Sequence, residues 1–369
     1  MKILVTGGAG FIGSHLVDEL IKQDHKVAVL DNLEYQVHGG KIPDYLNEDA
    51  KYIFGDIRDE DLLVRILDDY DAIINLAAAV GVGQSMYQVK YYMDVNTLGT
   101  ANLINTLINK NIKPKKMIVA SSMSIYGEGH YSCADCGVVD VKLRPLSQLK
   151  ERRWEVTCPK CGKNTVPMPT PEEKTLYPTS FYAISKKDQE EMTLTYGFAY
   201  KQPVVALRFF NVYGPRQALS NPYTGAIAIF LSRLLNDNPP LIYEDGMQSR
   251  DFIHVSDIVR GIILALENDE MAGETFNVAT GVRTSILDVA GELAGALGKN
   301  IEPKIAGEFR QGDIRHCYAD ITRIREFGFE PRVKLTEGIK ELVELSKQEK
   351  PKDMVDIADK ELEEKGLKD

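Results

Sequence analysis

Tyr182 and Lys186 stand four residues apart, the spacing that puts two side chains on one face of a helix. An ammonium beside a phenol stabilises phenolate below its free value of about 10, so such a tyrosine becomes a usable base near neutral pH. A Tyr-x-x-x-Lys pair alone is common in a chain with 17 tyrosines. This one gains weight from Ser121-Ser122-Met123-Ser124-Ile125-Tyr126-Gly127, which follows an apolar run and brings the Ser122 hydroxyl to the same substrate oxygen, with Ser124 next in line for that role. The chemistry of the set is removal of a proton from a group on the substrate, with the serine hydroxyl at the same oxygen.

The segment Thr6-Gly7-Gly8-Ala9-Gly10-Phe11-Ile12-Gly13, directly after Ile3-Leu4-Val5, has the glycine spacing of a dinucleotide-binding turn. A strand must end there in a tight turn, the backbone must approach a pyrophosphate, and a helix must begin with free N–H groups aimed at the anion. Gly7, Gly10 and Gly13 serve those three needs. A second apolar run, Val27-Ala28-Val29-Leu30, ends at Asp31, whose carboxylate can accept both ribose hydroxyls of an adenosine. That carboxylate repels a 2′-phosphate, and no Arg or Lys occupies the variable positions of the turn, so the expected cofactor is NAD. Asp56, after Tyr52-Ile53-Phe54, reads either as a partner for the adenine amino group or as a solvated turn aspartate.

Between Gly127 and Tyr182 lie Cys133-Ala134-Asp135-Cys136-Gly137 and Cys158-Pro159-Lys160-Cys161-Gly162, leaving Cys317 as the remaining cysteine. Thiolates so spaced make a closed tetrahedral site for a structural zinc, and the glycine after each pair permits the turn that aims backbone amides at sulfur. A disulfide is disfavoured in a reducing cytoplasm, and a redox pair does not need two knuckles. A loop longer than ~15 residues inside a compact domain also needs an organiser, which a metal supplies. The knuckles bracket Arg144, Arg152, Arg153 and Trp154, which leaves a contact with nucleic acid or a partner open; the position just ahead of Tyr182 favours a lid or rim of the substrate pocket.

Holding these groups together takes strands whose ends converge. Apolar runs at Ala72 to Leu76, Lys116 to Ala120 and Val204 to Phe209 alternate with helical stretches, as a parallel sheet requires. The expected fold is α/β: a doubly wound parallel sheet of Rossmann type over 1–210, interrupted by the cysteine-bearing insertion at 128–175. After about Asn211, Pro215, Pro222, Pro239 and Pro240 punctuate shorter elements, which points to a smaller substrate-binding lobe over 211–345, interleaved with the sheet domain. The tail, 346–369, is nearly all charged, with Met354, Ile357 and Leu362 at loose helical spacing, and reads as a solvated terminal helix. At 44% hydrophobic and 27% charged residues the chain can bury a large core, yet no apolar run approaches the ~20 residues of a membrane helix. A net charge of -10 argues against nucleic acid as a partner. Met1-Lys2-Ile3 leads directly into a core strand, leaving no room for a signal peptide, so a cytoplasmic protein is expected.

From Met1 to about Glu344, apart from the insertion, the chain resembles the extended short-chain dehydrogenase/reductases that modify nucleotide sugars, a family typified by UDP-galactose 4-epimerase. The resemblance rests on the glycine turn, Asn75-Leu76-Ala77-Ala78, Asn96-Thr97-Leu98-Gly99-Thr100, the Ser122 segment, Tyr182 with Lys186, Arg208-Phe209-Phe210-Asn211-Val212-Tyr213-Gly214-Pro215-Arg216, Arg250-Asp251-Phe252-Ile253-His254-Val255 and Arg310-Gln311-Gly312-Asp313. It implies that NAD is held tightly by Gly7, Gly10, Phe11, Ile12, Gly13, Asp31, Asn32, Asp56, Ile57, Leu76, Ala77, Ala78, Asn96, Ser121, Tyr182, Lys186 and Phe209. It implies a nucleotide-sugar site made by Ser122, Ser124, Asn211, Arg216, Asn221, Tyr223, Arg250, Arg310 and Asp313. Asn211, Arg250 and Arg310 would hold the diphosphate, where a forked guanidinium suits phosphate oxygens. It further implies a homodimer built on helices near Thr97–Asn109 and Tyr182–Tyr200, with Leu103, Ile104 and Leu107 either in the seam or against the sheet.

Members of the family that dehydrate or decarboxylate the sugar place acidic residues just after the catalytic hydroxyl; here those places hold Met123 and Ser124. Without a carboxylate the site can oxidise a hydroxyl and return the hydride, but is poorly equipped for elimination. The expected reaction is therefore 4-epimerisation. Tyr182 takes the proton of the sugar 4-hydroxyl, Ser122 orients the oxygen, Lys186 holds the phenolate and the nicotinamide ribose, and the 4-keto sugar takes hydride back on its other face. Ser124–Gly129 with the insertion, and Arg216–Gly225, resemble the dTDP-L-rhamnose 4-epimerase subgroup, with UDP-glucose or UDP-glucuronate as other substrates. Two further classes stay open: a dehydratase, decarboxylase or 2-epimerase of the same family, and a non-catalytic NAD-binding sensor, which would lack Ser122, Tyr182 and Lys186.

Overall fold

Strands rich in Val, Ile and Leu with helices on both sides read as near-continuous apolar runs, because both of their faces are covered. The computed structural model describes residues 1–347 and 349–368 and bears this out in a seven-stranded sheet. Its strands are β1 (Lys2–Thr6), β2 (Lys26–Asp31), β3 (Lys51–Phe54), β4 (Ala72–Asn75), β5 (Lys116–Ser122), β6 (Val204–Phe209) and β7 (Thr275–Val278). All pair in parallel, in the order β7-β6-β5-β4-β1-β2-β3. Winding reverses between β1 and β4, so the crevice outside their C-terminal ends is where this topology receives a ligand.

Three helices carry the chemistry-bearing residues to that crevice: α1 (Phe11–Lys22), α2 (Gly99–Asn109) and α3 (Phe181–Tyr200). Ser180 caps α3 by accepting from the Ala183 N–H at 3.1 Å, which fixes where the helix starts and hence which way Tyr182 and Lys186 face. One stripe of α3 is polar and yet buried, and Glu190 on it meets Arg208 of β6 in a forked pair at 3.0 and 2.6 Å. On α2, Leu103, Ile104 and Leu107 pack inward with Leu4 and Ile73 of the sheet, and Ile104 also borders an open groove between α2 and α3.

The second half adds α4 (Ala226–Leu235), α5 (Val255–Glu267), α6 (Ile286–Leu297) and α7 (Leu335–Ser346). Leu231, Leu234, Val289, Leu293, Ile339 and Leu342 form a second core there, while β7 returns to the main sheet. Short strands at His130–Cys133, Gly137–Val139 and Val166–Met168 give the insertion a small antiparallel sheet.

One alternative loses two of its residues and one expectation is corrected. Arg144 and Trp154 of the insertion do not project outward: Arg144 forks onto Glu244 at 2.9 Å, and Trp154 packs on Phe309 with ring centroids 6.4 Å apart. Both serve to dock the insertion on the second lobe, along with fully buried Arg315, which bridges Glu155, Glu244 and Asp245. The tail forms the expected helix with much of it exposed, but the helix is docked and not free. Its helix α8 (Val355–Glu364) buries Ala358 and Leu362, one turn apart, leaves Ile357 outside, and is pinned by Arg233, which donates to Asp356 at 2.9 Å. Among the described residues, no helix is long and apolar enough to cross a membrane.

Candidate active site

A cavity of about 440 Å³ opens at the C-terminal ends of β1, β4 and β5. The glycine turn forms one wall, and each glycine is needed for a separate reason. Gly7 has φ +70°, and a Cβ there would lie 2.8 Å from Ala77 N. At Gly13 a Cβ would lie 2.3 Å from Gly7 O, so α1 can cross the turn only at glycine. At Gly10 the nearest obstacle is Gly7 O at 3.4 Å, and the residue faces the cavity with no side-chain cap on α1. The free N–H groups of the first turn therefore face the space an anion would fill.

At the end of β2, Asp31 is held by the Ala9 N–H at 3.0 Å and the Leu33 N–H at 2.9 Å. Asp56 accepts a fork from Arg58 at 2.8 and 2.7 Å and a bond from Asn32 at 3.0 Å. The Arg58 hydrogen bonds hold its carboxyl down at about 2, so it is an ionised acceptor. Phe11, Ile12, Asn32, Ile57, Leu76, Ala77, Ala78, Ser121 and Phe209 line the same cavity. Asn96 does not. It is fully buried behind the wall, where it accepts from the Ala79 N–H at 2.7 Å and donates to Ser185 at 2.9 Å, fixing the loop after β4.

Ser122, Tyr182 and Lys186 meet at the far end of the cavity. Ser122 accepts from the Ser124 hydroxyl at 2.9 Å and is hydrogen-bonded to Tyr182. Lys186 Nζ donates to Gln189 Oε1 at 2.7 Å, and Gln189 donates in turn to Thr100 at 2.7 Å. The sequence predicts a phenol lowered by its lysine, but here burial raises Tyr182, partly offset by the Ser122 hydrogen bond. The same burial lowers Lys186 to about 7 against a weaker pull from Glu190. The physical reason is shared: a site shut off from water disfavours either charge alone, and the ammonium is drawn to the Gln189 amide.

The substrate-side residues divide. Asn211, Asn221, Tyr223 and Ser124 line the cavity, and the buried oxygens Ser121 Oγ, Asn211 Oδ1 and Gln217 Oε1, all on lining residues, have no protein partner. Buried polar atoms without partners in a cavity wall point to a polar ligand. The three arginines and Asp313 lie elsewhere. Arg216 pairs with Asp18 at 2.7 Å and covers the Tyr45 ring. Arg250 is spent on the carbonyls of Ser249, Ile314 and Arg315 at 2.8, 2.7 and 3.0 Å. Arg310 is paired with Asp313 at 2.8 Å and lies over Tyr243 at 4.5 Å. Nor does any residue of the insertion line the cavity, so among the described residues it braces the second lobe instead of forming a rim.

Sequence reasoning passed over an amide cluster on the same wall: Gln36 and Gln84 exchange hydrogen bonds at 3.1 and 2.9 Å, and Gln36 also donates to Asn221 at 3.1 Å. Tyr92 donates to Gln84 at 3.0 Å and lies edge-on to Tyr182, ring centroids 6.3 Å apart. Gln189, one turn beyond Lys186 on α3, carried a signal in its spacing; the cluster did not.

In the insertion, the Sγ atoms of Cys133, Cys136, Cys158 and Cys161 all lie within 4.8 Å of one another, and none is in a disulfide. Gly137 and Gly162 have φ +69° and +76°, the left-handed turns that the spacing implies. Burial pushes the Cys158 thiol up, but the Lys160 and Cys161 N–H groups outweigh it and bring the thiol to about 7.

Residues 3–147 match the NAD dependent epimerase/dehydratase family, and residues 162–342 match GDP-mannose 4,6 dehydratase. The chain is 35% identical to a dTDP-L-rhamnose 4-epimerase of Burkholderia thailandensis, over 92% of this chain and 93% of that one. Among solved structures it is similar to UDP-glucose 4-epimerase of Thermotoga maritima with UDP-glucose, at 33% identity and a TM-score of 0.77, covering 94% of this chain and 98% of the other. It is also similar to UDP-glucuronic acid 4-epimerase of Bacillus cereus with UDP-glucuronic acid and NAD, at 30% identity and a TM-score of 0.76, covering 94% and 99%.

Proposed function

The chain belongs to the NAD-dependent epimerase/dehydratase family, and on that premise we propose that it is a nucleotide-sugar 4-epimerase acting through Ser122, Tyr182 and Lys186. The observation that carries this reading is the distribution of carboxylates. Among the described residues, the acidic groups lining the cavity are Asp31 at the end of β2 and Glu34 and Asp56 on the loops after β2 and β3, while Met123 and Ser124 follow Ser122 at the reacting end. Elimination of water or loss of a carboxyl group needs an extra acid or base there; oxidation and re-reduction of one alcohol does not.

The residues fit NAD: a turn that a Cβ would fill, an uncapped α1 and the Asp31 carboxylate at the end of β2. Gly7, Gly10, Gly13 and α1 would hold its pyrophosphate, and Asp31 its adenosine ribose. When bound, NAD supplies reversible acceptance of a hydride at the sugar carbon. Tyr182 Oη takes the proton of the 4-hydroxyl, Ser122 Oγ orients that oxygen, and Lys186 places a positive charge beside the phenolate when it leaves Gln189. Asn211 and Ser121 offer free acceptors to the ligand. A sugar that turns over inside the cavity as the 4-ketone receives its hydrogen back on the other face. The substrate we favour is a dTDP-6-deoxyhexose, by likeness to the B. thailandensis enzyme, with UDP-hexoses and UDP-glucuronate as the alternatives. Incubating the protein with a panel of these and following epimer pairs by NMR tests the reading; a dehydrated or decarboxylated product, or no reaction with any of them, overturns it.

The four clustered thiols fit a structural zinc, which would tie the insertion to Arg315 through Glu155. Such a site belongs in a reducing cytoplasm, where we place the protein. The open apolar groove between α2 and α3, lined by Ile108, Met192, Tyr196 and Tyr200, is the face we assign to a homodimer. A monomeric mass by light scattering at micromolar concentration would contradict that.

A further inference from the structure

The end of the chain reaches a residue that lines the substrate cavity. Glu361 Oε2 accepts from Tyr87 Oη at 2.7 Å and from Tyr223 Oη at 2.9 Å, and the two phenol oxygens are 2.6 Å apart. Tyr223 lines the cavity. A Cβ at Gly81 would sit 2.8 Å from Tyr92 Oη and 2.9 Å from Tyr223 Cβ, so these two side chains close over the same glycine. Tyr92 is the ring that lies against Tyr182. Beside Glu361, Leu362 is only 5% exposed and faces Gly83, where a Cβ would meet it at 3.6 Å. Contacts therefore run without a gap from α8 to the reacting tyrosine.

The outer part of the same segment covers the other end of the lobe. Asp359 accepts from Tyr243, whose ring carries Arg310 at 4.5 Å. Lys368 pairs with Asp359 at 2.7 Å and Glu308 at 2.8 Å, and the Gln311 N–H donates to Leu367 O at 2.9 Å. The tail thus touches both Tyr223 and the Arg310–Asp313 pair.

We propose that the C-terminal segment 355–368 backs the wall of the nucleotide-sugar site from outside, with Glu361 a positioning residue that sets Tyr223 in that wall and Tyr87 behind it. A carboxylate accepting from both phenols fixes two aromatic side chains that substrate binding would otherwise have to immobilise. Leu362 packs behind Gly83, next to the lining residues Val82 and Gln84. Affinity for the sugar nucleotide, and not cofactor binding or the chemical step, depends on this segment. The inference rests on the nucleotide-sugar reading above.

The test compares the NAD-loaded full chain with Glu361→Ala, Glu361→Gln and a chain ending at Met354. KM and kcat are read with whichever nucleotide sugar the full chain converts, and the Kd values of UDP and dTDP by calorimetry. Freeing the two tyrosines should raise KM by about 3- to 10-fold in Glu361→Ala, with kcat within about twofold. Glu361→Gln keeps an acceptor oxygen and should restore the wild-type value. The shortened chain should lose about tenfold or more in KM and in the Kd of the better-bound diphosphate, with its NAD content unchanged. A folded shortened chain with KM and Kd at wild-type values, or a Glu361→Gln variant as impaired as Glu361→Ala, overturns the proposal. Should the shortened chain fail to fold, the two substitutions at the exposed Glu361 decide alone. If the full chain converts no nucleotide sugar, the epimerase reading fails, while the Kd comparison still decides whether the tail belongs to a nucleotide site.

Discussion

Replacing Gly13 and, separately, Gly10 by alanine should split folding from cofactor binding. At Gly13 the added Cβ lies 2.3 Å from Gly7 O and 2.6 Å from Gly8 Cα, both backbone atoms of a turn that cannot give way without moving β1 or α1. Forcing a methyl into a packed site costs about 1–3 kcal/mol, which for a chain of this size lowers Tm by about 1–4 °C. At Gly10 the nearest atom is Gly7 O at 3.4 Å and φ is -74°, so the residue tolerates a side chain in the free protein. Its methyl instead occupies the approach of the pyrophosphate. A clash of the same size falls there on binding and weakens NAD by about 5- to 150-fold. Differential scanning fluorimetry without added NAD and titration calorimetry of the cofactor-free protein read the two effects. Equal losses of Tm in the two variants, or wild-type NAD affinity in Gly10→Ala, would refute the assignment of the turn.

Tyr182→Phe should bind NAD and fold normally but lose most of its turnover, and Ser122→Ala should show a smaller loss; near-normal steady-state activity in the first variant contradicts the proton acceptor. Lys186 has a folded value near 7, below its ordinary 10.5, so it binds fewer protons folded than unfolded between those values. The stability of its neutral form is present above 10.5 and lost as pH falls to about 7; Lys186→Met should therefore melt above wild type at pH 6–7, the gain shrinking toward pH 10, while turnover is abolished. A melting point below wild type at pH 6 would go against it. Cys158→Ser should empty a zinc site holding one metal per chain and weaken sugar binding more than NAD binding, since Glu155 of the insertion braces Arg315 of the second lobe. Elemental analysis that finds no zinc in protein purified without chelators rules this out.

What could be read from residues was what backbone and short spacing determine. The glycine turn is legible because a Cβ has nowhere to go at Gly7 or Gly13, and Ser122 with Tyr182 because a strand end and a capped helix fix their directions. Long side chains were not legible. Arg216, Arg250 and Arg310 each reach an acceptor supplied by a distant segment or a local turn: Asp18, the carbonyls at 314–315, and Asp313, with the Arg310 guanidinium over Tyr243. No motif records which acceptor an arginine will find. Asn96 was read as a ligand contact because it lies among cofactor residues in sequence, yet both ends of its amide are used by Ala79 and Ser185. The tail misled for a third reason. Only Ala358 and Leu362 of α8 are buried, too few apolar positions to show a helical stripe, and its anchoring is done by carboxylates that look like solvated charge.

The central claim is that hydrogen leaves and returns at one sugar carbon with no elimination elsewhere, and solvent isotope content tests it most directly. The reaction is run in D2O with the nucleotide sugar the protein converts, and the product is examined by proton NMR. A site with Met123 and Ser124 beside Ser122, and no carboxylate at that end among its described lining residues, should give the 4-epimer with its C4 and C5 hydrogens fully retained. Deuterium at C5 or C6, or a product lacking water or a carboxyl group, would show an acid–base pair that this site does not contain and would contradict the assignment.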